Sequence, residues 1–244
     1  MSLNFITPNW PAPKNIRAYT TTRSGGVSQA PYDSFNLAAH GGDDLEAVQK
    51  NRALLKETLN LPNEPAWLSQ NHTTIAVEIT ANYQKQEADA SFAREANQVC
   101  VVMTADCLPL LVCNQAGTEI AAIHAGWRGL ADGVIEATIK KLNSDPKDLL
   151  VWLGPAMGPA HYQVGSDTRD AFLKHDPKAE SGFYQQDATH WLLDMYHIAR
   201  QRLHALGITA IYGGGHCTYT EQDKFFSYRR AAKTGRMATL IWRQ

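Results

Sequence analysis

Short apolar runs alternate with amphipathic stretches along most of the chain, a pattern typical of α/β proteins. The apolar runs predict one strand that starts at residue 16. They predict further strands near residues 65–69, 74–80, 99–105, 109–113, 118–124, 149–154, 210–214, 225–230 and 236–243. Helical periodicity predicts helices within 43–61, 130–142, 166–175 and 192–207. No repeat or linker-like change of composition interrupts this pattern. We therefore predict a single layered α/β domain over residues 1–244, with a mixed sheet and flanking helices.

One apolar run, VMTADCLPLLVC at residues 102–113, is interrupted in its middle. Asp106 is costly inside a strand unless it is paired, and Pro109 removes a backbone donor from the sheet. The run therefore predicts a bulge or a strand end at Cys107. A thiol at a deformed strand indicates a candidate site, although a cysteine in an apolar run is more often a small core residue.

A partner for Cys107 follows from the next apolar run, TEIAAIHAG. The two runs can form a hairpin in which Cys113 pairs with Thr118. In that register Cys107 faces His124 across the sheet, with Cβ atoms about 5 Å apart. This separation suits two ligands of one metal ion, or a nucleophile and its base. A bulge at Pro109 would shift the register by one residue and turn these side chains to opposite faces.

Composition narrows the class of function. Of the 244 residues 44% are hydrophobic, enough for a substantial core, and the net charge of −1 argues against nucleic-acid or membrane-surface binding. No targeting segment and no apolar run of about 18 residues is present, so we expect a cytoplasmic protein with a small-molecule partner. The four cysteines are too sparse for a disulfide framework, and we assign Cys100 and Cys113 to the core.

Several ordered motifs together resemble one known family. They are TTRSGGVSQAPYDSFNLAAHGGD, SQNH, TADCLPLLV, AAIHAGWRGL, LGPAMGPAHYQVG and CTYTEQDKFFSYRR, with TGR shortly after the last. This set spans nearly the whole chain and resembles the laccase-domain family, once described as polyphenol-oxidase-like. Members of that family are described as zinc-dependent purine nucleoside phosphorylases with adenosine deaminase activity, and in bacteria as a peptidoglycan editing factor.

The resemblance implies a metal site made of His72, Cys107 and His124. Two neutral imidazoles and a thiolate suit Zn²⁺, and three protein ligands leave a fourth position open, as in catalytic zinc sites. His72 rests on the resemblance alone, because it is far from Cys107 in the sequence. The chain also departs from the family pattern: Asn71 and Thr73 flank His72 in place of Val and Gly, and Ala231 stands where an Asp usually follows the arginines.

Arginines in or near these motifs are candidate substrate ligands, because guanidinium groups bind phosphate and carboxylate through paired hydrogen bonds. The candidates are Arg23, Arg52, Arg128 and either Arg229 or Arg230. For each one, an ordinary ion pair or surface position is the competing interpretation. Asn36 is a candidate substrate-binding residue by the resemblance only, and His40 close after it is an open candidate.

Several functions compete. In a phosphorylase, phosphate attacks C1′ of adenosine, inosine or a methylthioadenosine-like nucleoside, and an accompanying deaminase activity would activate water at C6 of adenine. In an amide hydrolase that edits a peptidoglycan precursor, Cys107 is a free nucleophile with His124 as its base, or zinc activates water. A copper polyphenol oxidase ranks third, because the chain has no HxH pair to hold several copper ions. A non-enzymatic binding module has no support in the sequence.

Overall fold

The computed structural model describes residues 3–244, which form thirteen strands and five α-helices. The strands are β1 (Phe5–Ile6), β2 (Ile16–Thr21), β3 (Ala76–Glu78), β4 (Ala90–Ala93), β5 (Val99–Thr104), β6 (Leu108–Asn114), β7 (Ile120–Ala125), β8 (Leu149–Leu153), β9 (Gln163–Gly165), β10 (Phe183–Gln185), β11 (His190–Leu193), β12 (Ala210–Gly213) and β13 (Met237–Arg243). The helices are α1 (Leu45–Thr58), α2 (Trp127–Asp132), α3 (Val134–Ile139), α4 (Ser166–His175) and α5 (Met195–Ala205). The predicted α/β class is confirmed.

The described strands form three sheets. A four-stranded sheet has the order β1-β2-β13-β5, and a six-stranded sheet has the order β12-β8-β6-β7-β4-β3. A smaller sheet has the order β10-β11-β9. The six-stranded sheet is mixed, as predicted, because β12 runs parallel to β8 and β3 parallel to β4, whereas its other pairs are antiparallel.

Alternating faces of the strands build a layered core. On β5, Val101 and Met103 pack with α1, while Cys100 and Val102 face the six-stranded sheet. The far face of the six-stranded sheet packs against α2, α3 and α5. Cys100 and Cys113 are both 0% exposed between the two large sheets, so their assignment to the core is confirmed.

Capping residues set the ends of the longer helices. Asp44 accepts a hydrogen bond from the backbone N–H of Glu46 at the start of α1, and Asp194 accepts one from His197 at the start of α5. The helix predicted over 166–175 coincides with α4. The longest described helix has 14 residues, and none in this part of the chain is long and apolar enough to cross a membrane.

The helix predicted over residues 130–142 is instead two short helices, α2 and α3. Gly133 separates them with a φ of +97°, in the left-handed region that residues with a side chain rarely adopt. The break lets α2 begin at Trp127, directly after β7. It therefore places Trp127 and Arg128 beside the cavity described below.

Strands β6 and β7 form the predicted hairpin in a different register. His124 lies opposite Pro109 rather than Cys107, and Cys113 pairs with Ile120. The predicted pairing was therefore wrong by two residues. Because side chains alternate with a period of two, this shift leaves every side chain on its predicted face and keeps Cys107 close to His124.

The hairpin loop explains the shift. The side-chain carbonyl of Asn114 accepts hydrogen bonds from the backbone N–H groups of Thr118 and Glu119, at 2.7 and 3.1 Å. Asn114 therefore closes a longer loop than the four residues predicted, and Thr118 belongs to the loop rather than to β7.

Other elements predicted from the sequence also differ from those in the structure. Residues 65–69 make only isolated bridges, and residues 225–230 form turns rather than a closing strand. Hydrogen bonds from Ser227 and Arg229 to Asp106 hold that second segment beside the turn that precedes β6. The prediction missed β4 and the whole three-stranded sheet.

Candidate metal centre and substrate cavity

The three predicted metal ligands lie together at one end of the hairpin. His72 is in the loop before β3, Cys107 is in the turn between β5 and β6, and His124 is near the end of β7. One donor atom from each residue lies within 4.8 Å of the other two, and Sγ of Cys107 is 3.7 Å from Nε2 of His72. The imidazole rings meet edge to face, with centroids 5.0 Å apart. This His-Cys-His group has the composition and spacing to bind a metal ion.

Asp106 explains why the apolar run breaks before β6. It has a φ of +86° and is 6% exposed, so its carboxylate needs partners inside the protein. The carboxylate accepts hydrogen bonds from Oγ1 of Thr218 at 2.6 Å, Oγ of Ser227 at 3.1 Å and the backbone N–H of Arg229 at 2.7 Å. Asp106 therefore joins the turn that carries the thiol to the C-terminal segment on the other side of the cavity.

A second buried carboxylate, Asp89, connects two of the ligands. It is 0% exposed and accepts hydrogen bonds from the backbone N–H groups of Asn71, His72 and Thr73, at 3.2, 3.0 and 2.6 Å. Its Oδ1 lies 2.7 Å from Nδ1 of His124. This contact leaves Nε2 of His124 free to face the cluster, which is how carboxylates orient histidines that bind metals.

Backbone geometry and local space also fix His72. Its φ of +62° is unusual for a residue with a side chain. Next to it, the amide of Gln70 makes two hydrogen bonds of 2.8 Å with the backbone of Met103 and so fastens the loop to β5. A Cβ at Gly126 would overlap the imidazole of His72 and lie 3.2 Å from Sγ of Cys107. The ligands can approach this closely because residue 126 is glycine.

The cluster favours an ionised thiol. Burial opposes ionisation of Cys107, but the imidazoles of His124 and His72 outweigh it and lower the pKa of the thiol to about 6. Burial also opposes protonation of His124, yet Cys107 and Asp89 raise its pKa to about 9. Although buried, Asp89 has its pKa lowered to about 2, mainly by His124 and Thr73. The thiolate is the form of cysteine that binds metals and attacks electrophiles.

The cluster opens into a cavity of about 480 Å³, a volume that suits a small molecule. Aromatic and cationic side chains line it: Trp127, Tyr162, Tyr228, Arg128, Arg229 and Arg236. A molecule bound beside the cluster therefore meets aromatic faces and positive charge.

Of the predicted substrate ligands, Arg128 and Arg229 line this cavity. The guanidinium of Arg128 lies 4.4 Å from the ring centre of Trp127. That of Arg229 donates to the carbonyl of Gln163 at 3.1 Å and lies 5.4 Å from the ring centre of Tyr162. The ion pairs that arginines make with acids in the described part of the chain involve other arginines. Both residues are therefore placed to meet an anion.

Arg23 and Arg52 do not line the cavity and have structural partners instead. Arg23 pairs with the carboxylate of Asp33 at 3.2 Å. Arg52 donates through Nε and Nη2 to the carbonyl of Leu37 and stacks 3.8 Å from the ring centre of Trp67. Their guanidinium groups hold loops of the N-terminal third, and their role in substrate binding stays a prediction.

Asn36 also lies outside the cavity lining. It is 1% exposed, and its Oδ1 accepts hydrogen bonds from the backbone N–H groups of Ala38 and Arg236 at 3.0 and 2.9 Å. Its Nδ2 donates to the carboxylate of Asp43 at 2.8 Å. Asn36 therefore sits behind Arg236, which does line the cavity.

Arg230, the alternative to Arg229, is hydrogen-bonded to three backbone carbonyls. Its guanidinium donates to Thr218, Tyr219 and Phe225 at 2.6 to 2.9 Å, so it is oriented although Ala231 supplies no acid. The other departure adds a contact, because the hydroxyl of Thr73 donates to Asp89 at 2.8 Å.

Sequence reasoning missed two residues of the site, Asp89 and Arg236. The signal for Asp89 was an acid set among small residues in EADASFA, next to an unrecognised strand. Arg236 belongs to the TGR motif that directly precedes β13. The open candidate His40 does line the cavity, and its pKa is lowered by partial burial and by Arg236.

With this geometry in place, comparison with known proteins identifies the family. Residues 17–244 match the family model described as multi-copper polyphenol oxidoreductase laccase. The chain belongs to this laccase family. The family resemblance inferred from the motifs is thereby confirmed.

Similar proteins are named after a different activity from the one in the family description. A Haemophilus influenzae protein named purine nucleoside phosphorylase is 54% identical over 240 residues, covering 97% of this chain and 98% of that protein. An Escherichia coli protein named purine nucleoside phosphorylase YfiH is 50% identical over 238 residues, covering 97% and 98%. Among solved structures, a Neisseria meningitidis protein is 46% identical, covers 99% of each chain and superposes with a TM-score of 0.95.

Proposed function

We propose that this protein is a zinc-dependent purine nucleoside phosphorylase that acts on adenosine, inosine and methylthioadenosine-like nucleosides. The observation that carries the proposal is the His72, Cys107 and His124 cluster at a cavity that Arg128, Arg229 and Arg236 also line. The names of relatives at 50% identity and above support the same activity.

The donor set fits zinc in kind and in spacing. Zn–S and Zn–N bonds of about 2.3 and 2.1 Å at a tetrahedral angle separate sulfur and nitrogen by about 3.6 Å. The corresponding distance between Cys107 and His72 is 3.7 Å. Copper is less favoured, because one three-residue cluster is found among residues 3–244, whereas a multicopper oxidase needs several sites.

Each group then has a role. When bound by the three ligands, zinc supplies a Lewis acid that polarises a substrate oxygen. Asp89 keeps His124 oriented through Nδ1, and Arg128 and Arg229 bind and orient phosphate for attack on C1′. Burial raises the pKa of Tyr162, so its phenol stays protonated at the cavity and can donate a hydrogen bond to the departing purine.

Metal analysis combined with product identification tests this proposal. The purified protein is assayed for zinc and copper and then incubated with adenosine or inosine, with and without phosphate. We expect zinc and the release of adenine or hypoxanthine with ribose 1-phosphate, only when phosphate is present. Copper with oxygen consumption, or no phosphate-dependent product, would refute it.

Deaminase activity is a further part of the proposal, because zinc held by His72, Cys107 and His124 would also supply a Lewis acid that activates water. Conversion of adenosine to inosine without phosphate is its direct test. The four cysteines are free thiols, in keeping with the cytoplasmic location that we propose.

One observation favours a second candidate, an amide hydrolase acting on a peptidoglycan precursor. Cys107, His124 and Asp89 form a chain of nucleophile, base and orienting carboxylate, as in cysteine hydrolases. A zinc ion on Cys107 would remove the free thiolate that this mechanism needs. Chelation therefore separates the two, because it abolishes the phosphorylase and leaves a thiol hydrolase active.

A further inference from the structure

The backbone around Arg236 is fixed by contacts with buried residues. Its backbone N–H donates to Oδ1 of Asn36 at 2.9 Å, and Asn36 is itself buried. The preceding Gly235 has no room for a side chain, because a Cβ there would lie 2.6 Å from the ring of Phe226 and 2.9 Å from Cβ of Asn36. Arg236 therefore extends from a fixed backbone, whereas the side chains of Arg128 and Arg229 are exposed.

The guanidinium of Arg236 has unused donors. Nη1 donates to the carbonyls of Thr234 and Gly235, at 2.9 and 3.0 Å. Nε and Nη2 have no hydrogen-bond partner in the part of the chain that the structure describes, and no acid there lies within ion-pair distance. The group lines the cavity, 5.8 Å from the ring centre of Tyr228. Partial burial lowers its pKa.

The surrounding charge also calls for an anion. Three arginines line the cavity against one carboxylate, Asp106, and that carboxylate already accepts bonds from Thr218, Ser227 and the backbone of Arg229. A partly desolvated cation without a partner is unfavourable, and a ligand oxyanion supplies the partner through two parallel N–H bonds.

We infer that Arg236, positioned by Asn36, anchors an oxyanion subsite beside the metal cluster and binds the inorganic phosphate that attacks the nucleoside. The inference rests on the proposed phosphorylase for the identity of the anion. A substrate carboxylate has the same recognition chemistry and is the alternative source. Asn36 acts here as a positioning residue, through the backbone of Arg236 rather than by touching the ligand.

Phosphate binding to the zinc-loaded protein tests the inference without nucleoside turnover. Inorganic phosphate and acetate are titrated calorimetrically into the wild type, Arg236→Gln, Arg236→Lys and Arg17→Gln, and the KM for phosphate is measured with inosine. Arg17 is the matched control, because it is an exposed arginine on β2 outside the cavity lining.

We expect Arg236→Gln to weaken phosphate binding and raise its KM by about ten- to a hundredfold, with zinc content and melting temperature near wild type. Arg236→Lys keeps the charge but loses the paired donors. Its phosphate affinity and its KM for phosphate should therefore lie between those of the wild type and Arg236→Gln. Arg17→Gln should match the wild type.

Unchanged phosphate affinity and KM in Arg236→Gln would overturn the inference while leaving the phosphorylase in place. Acetate binding that depends on Arg236 where phosphate binding does not would overturn the choice of phosphate. If the wild type binds phosphate through Arg236 yet releases no purine, the subsite is supported and the proposed function fails instead.

Discussion

The metal-binding cluster and the arginines that line the same cavity are built in different ways. The ligand wall, made of His72, Cys107 and His124, is tied to the sheet by Asp89, and His124 is 4% exposed. The arginine wall, made of Arg128, Arg229 and Arg236, consists of long side chains, two of them exposed. Aromatic rings, rather than acids, lie against these arginines.

The difference matches the tolerance of the two kinds of bonding. Metal coordination fails when a donor moves by a fraction of an ångström, whereas an arginine can follow an anion over a larger range. One buried carboxylate supports each group of residues: Asp89 contacts His124, and Asp106, which directly precedes Cys107, accepts a hydrogen bond from the backbone of Arg229. Changes at the ligand wall should alter metal content, and changes at the arginine wall should alter substrate affinity.

The largest expected effect is at the ligand wall. Cys107→Ala removes one of three donors, so we expect loss of bound metal and a fall in phosphorolysis of at least about a thousandfold. Loss of one sulfur should cost only about 1–3 kcal/mol of an unfolding free energy of about 5–15 kcal/mol. Metal analysis, purine release and urea unfolding of the same preparation check these expectations.

Cys113→Ala is the matched control for that variant, since this thiol is 0% exposed in the core. It should lose a similar amount of stability and keep most of its turnover. Equal losses of phosphorolysis in the two variants, compared at the same folded fraction, would remove any special role for Cys107.

The next effect is at the carboxylate that supports the ligand wall. Asp89→Asn should weaken metal affinity by about 10- to 100-fold, because His124 loses its orienting partner and backbone donors lose an acceptor. Glu119→Gln is the control, since Glu119 is equally well hydrogen-bonded and 4% exposed but lies outside the cavity lining. It should lower stability and leave metal affinity, measured by competition with a chelator, unchanged.

The pH dependence of stability sharpens the same comparison. Folding lowers the pKa of Asp89 from 3.8 to about 2, so its ionised form stabilises the folded state above pH 3.8. This stabilisation is lost as the pH falls toward 2. The difference in unfolding free energy between the wild type and Asp89→Asn should therefore have its maximum value at pH 6 and become smaller below pH 4. A difference that stays constant down to pH 2.5 would show that folding does not lower the pKa of Asp89.

On the arginine wall the expected effect is smaller and different in kind. Asp106→Asn should raise the KM for phosphate by about five- to thirtyfold, because the backbone of Arg229 loses its acceptor and the C-terminal segment loosens. Metal content should stay near that of the wild type. Loss of metal with an unchanged KM would mean that Asp106 serves Cys107 instead, and the two walls would not be separable.

The smallest effects belong to arginines outside both walls. Arg23→Gln and Arg52→Gln should leave the KM for phosphate within about threefold of wild type. Arg23 forms a partly exposed ion pair, worth about 1 kcal/mol at most. A tenfold rise in the KM for phosphate in either variant would show that the substituted arginine takes part in phosphate binding.

Local signals predicted much of this molecule. Helix α4 could be placed from its own periodicity, and the interrupted apolar run located Cys107 correctly. The hairpin register was wrong because a side-chain contact of Asn114 lengthened the loop, and no apolar pattern reports such a contact. The prediction of one helix over residues 130–142 was wrong because Gly133 adopts a left-handed backbone conformation that ends the first helix.

The contacts that join distant segments could not be predicted from the sequence. Asp89 and His124 are 35 positions apart, and Asp106 and Arg229 are 123 apart, so no spacing rule connects them. The resemblance supplied His72 and Asn36, and guanidinium chemistry suggested Arg23 and Arg52. The side chains of Asn36, Arg23 and Arg52 have structural partners. Motif position alone does not tell whether an arginine faces a ligand or a carbonyl.

The position of β13 has a consequence for how the protein is made. This strand lies between β2 and β5 in the four-stranded sheet, and it pairs with both. During translation β2 and β5 leave the ribosome long before the strand that must separate them, so the sheet cannot be completed as the chain emerges. Since Arg236 directly precedes β13, the cavity and the sheet are finished together, and a nascent chain interrupted before this strand has neither.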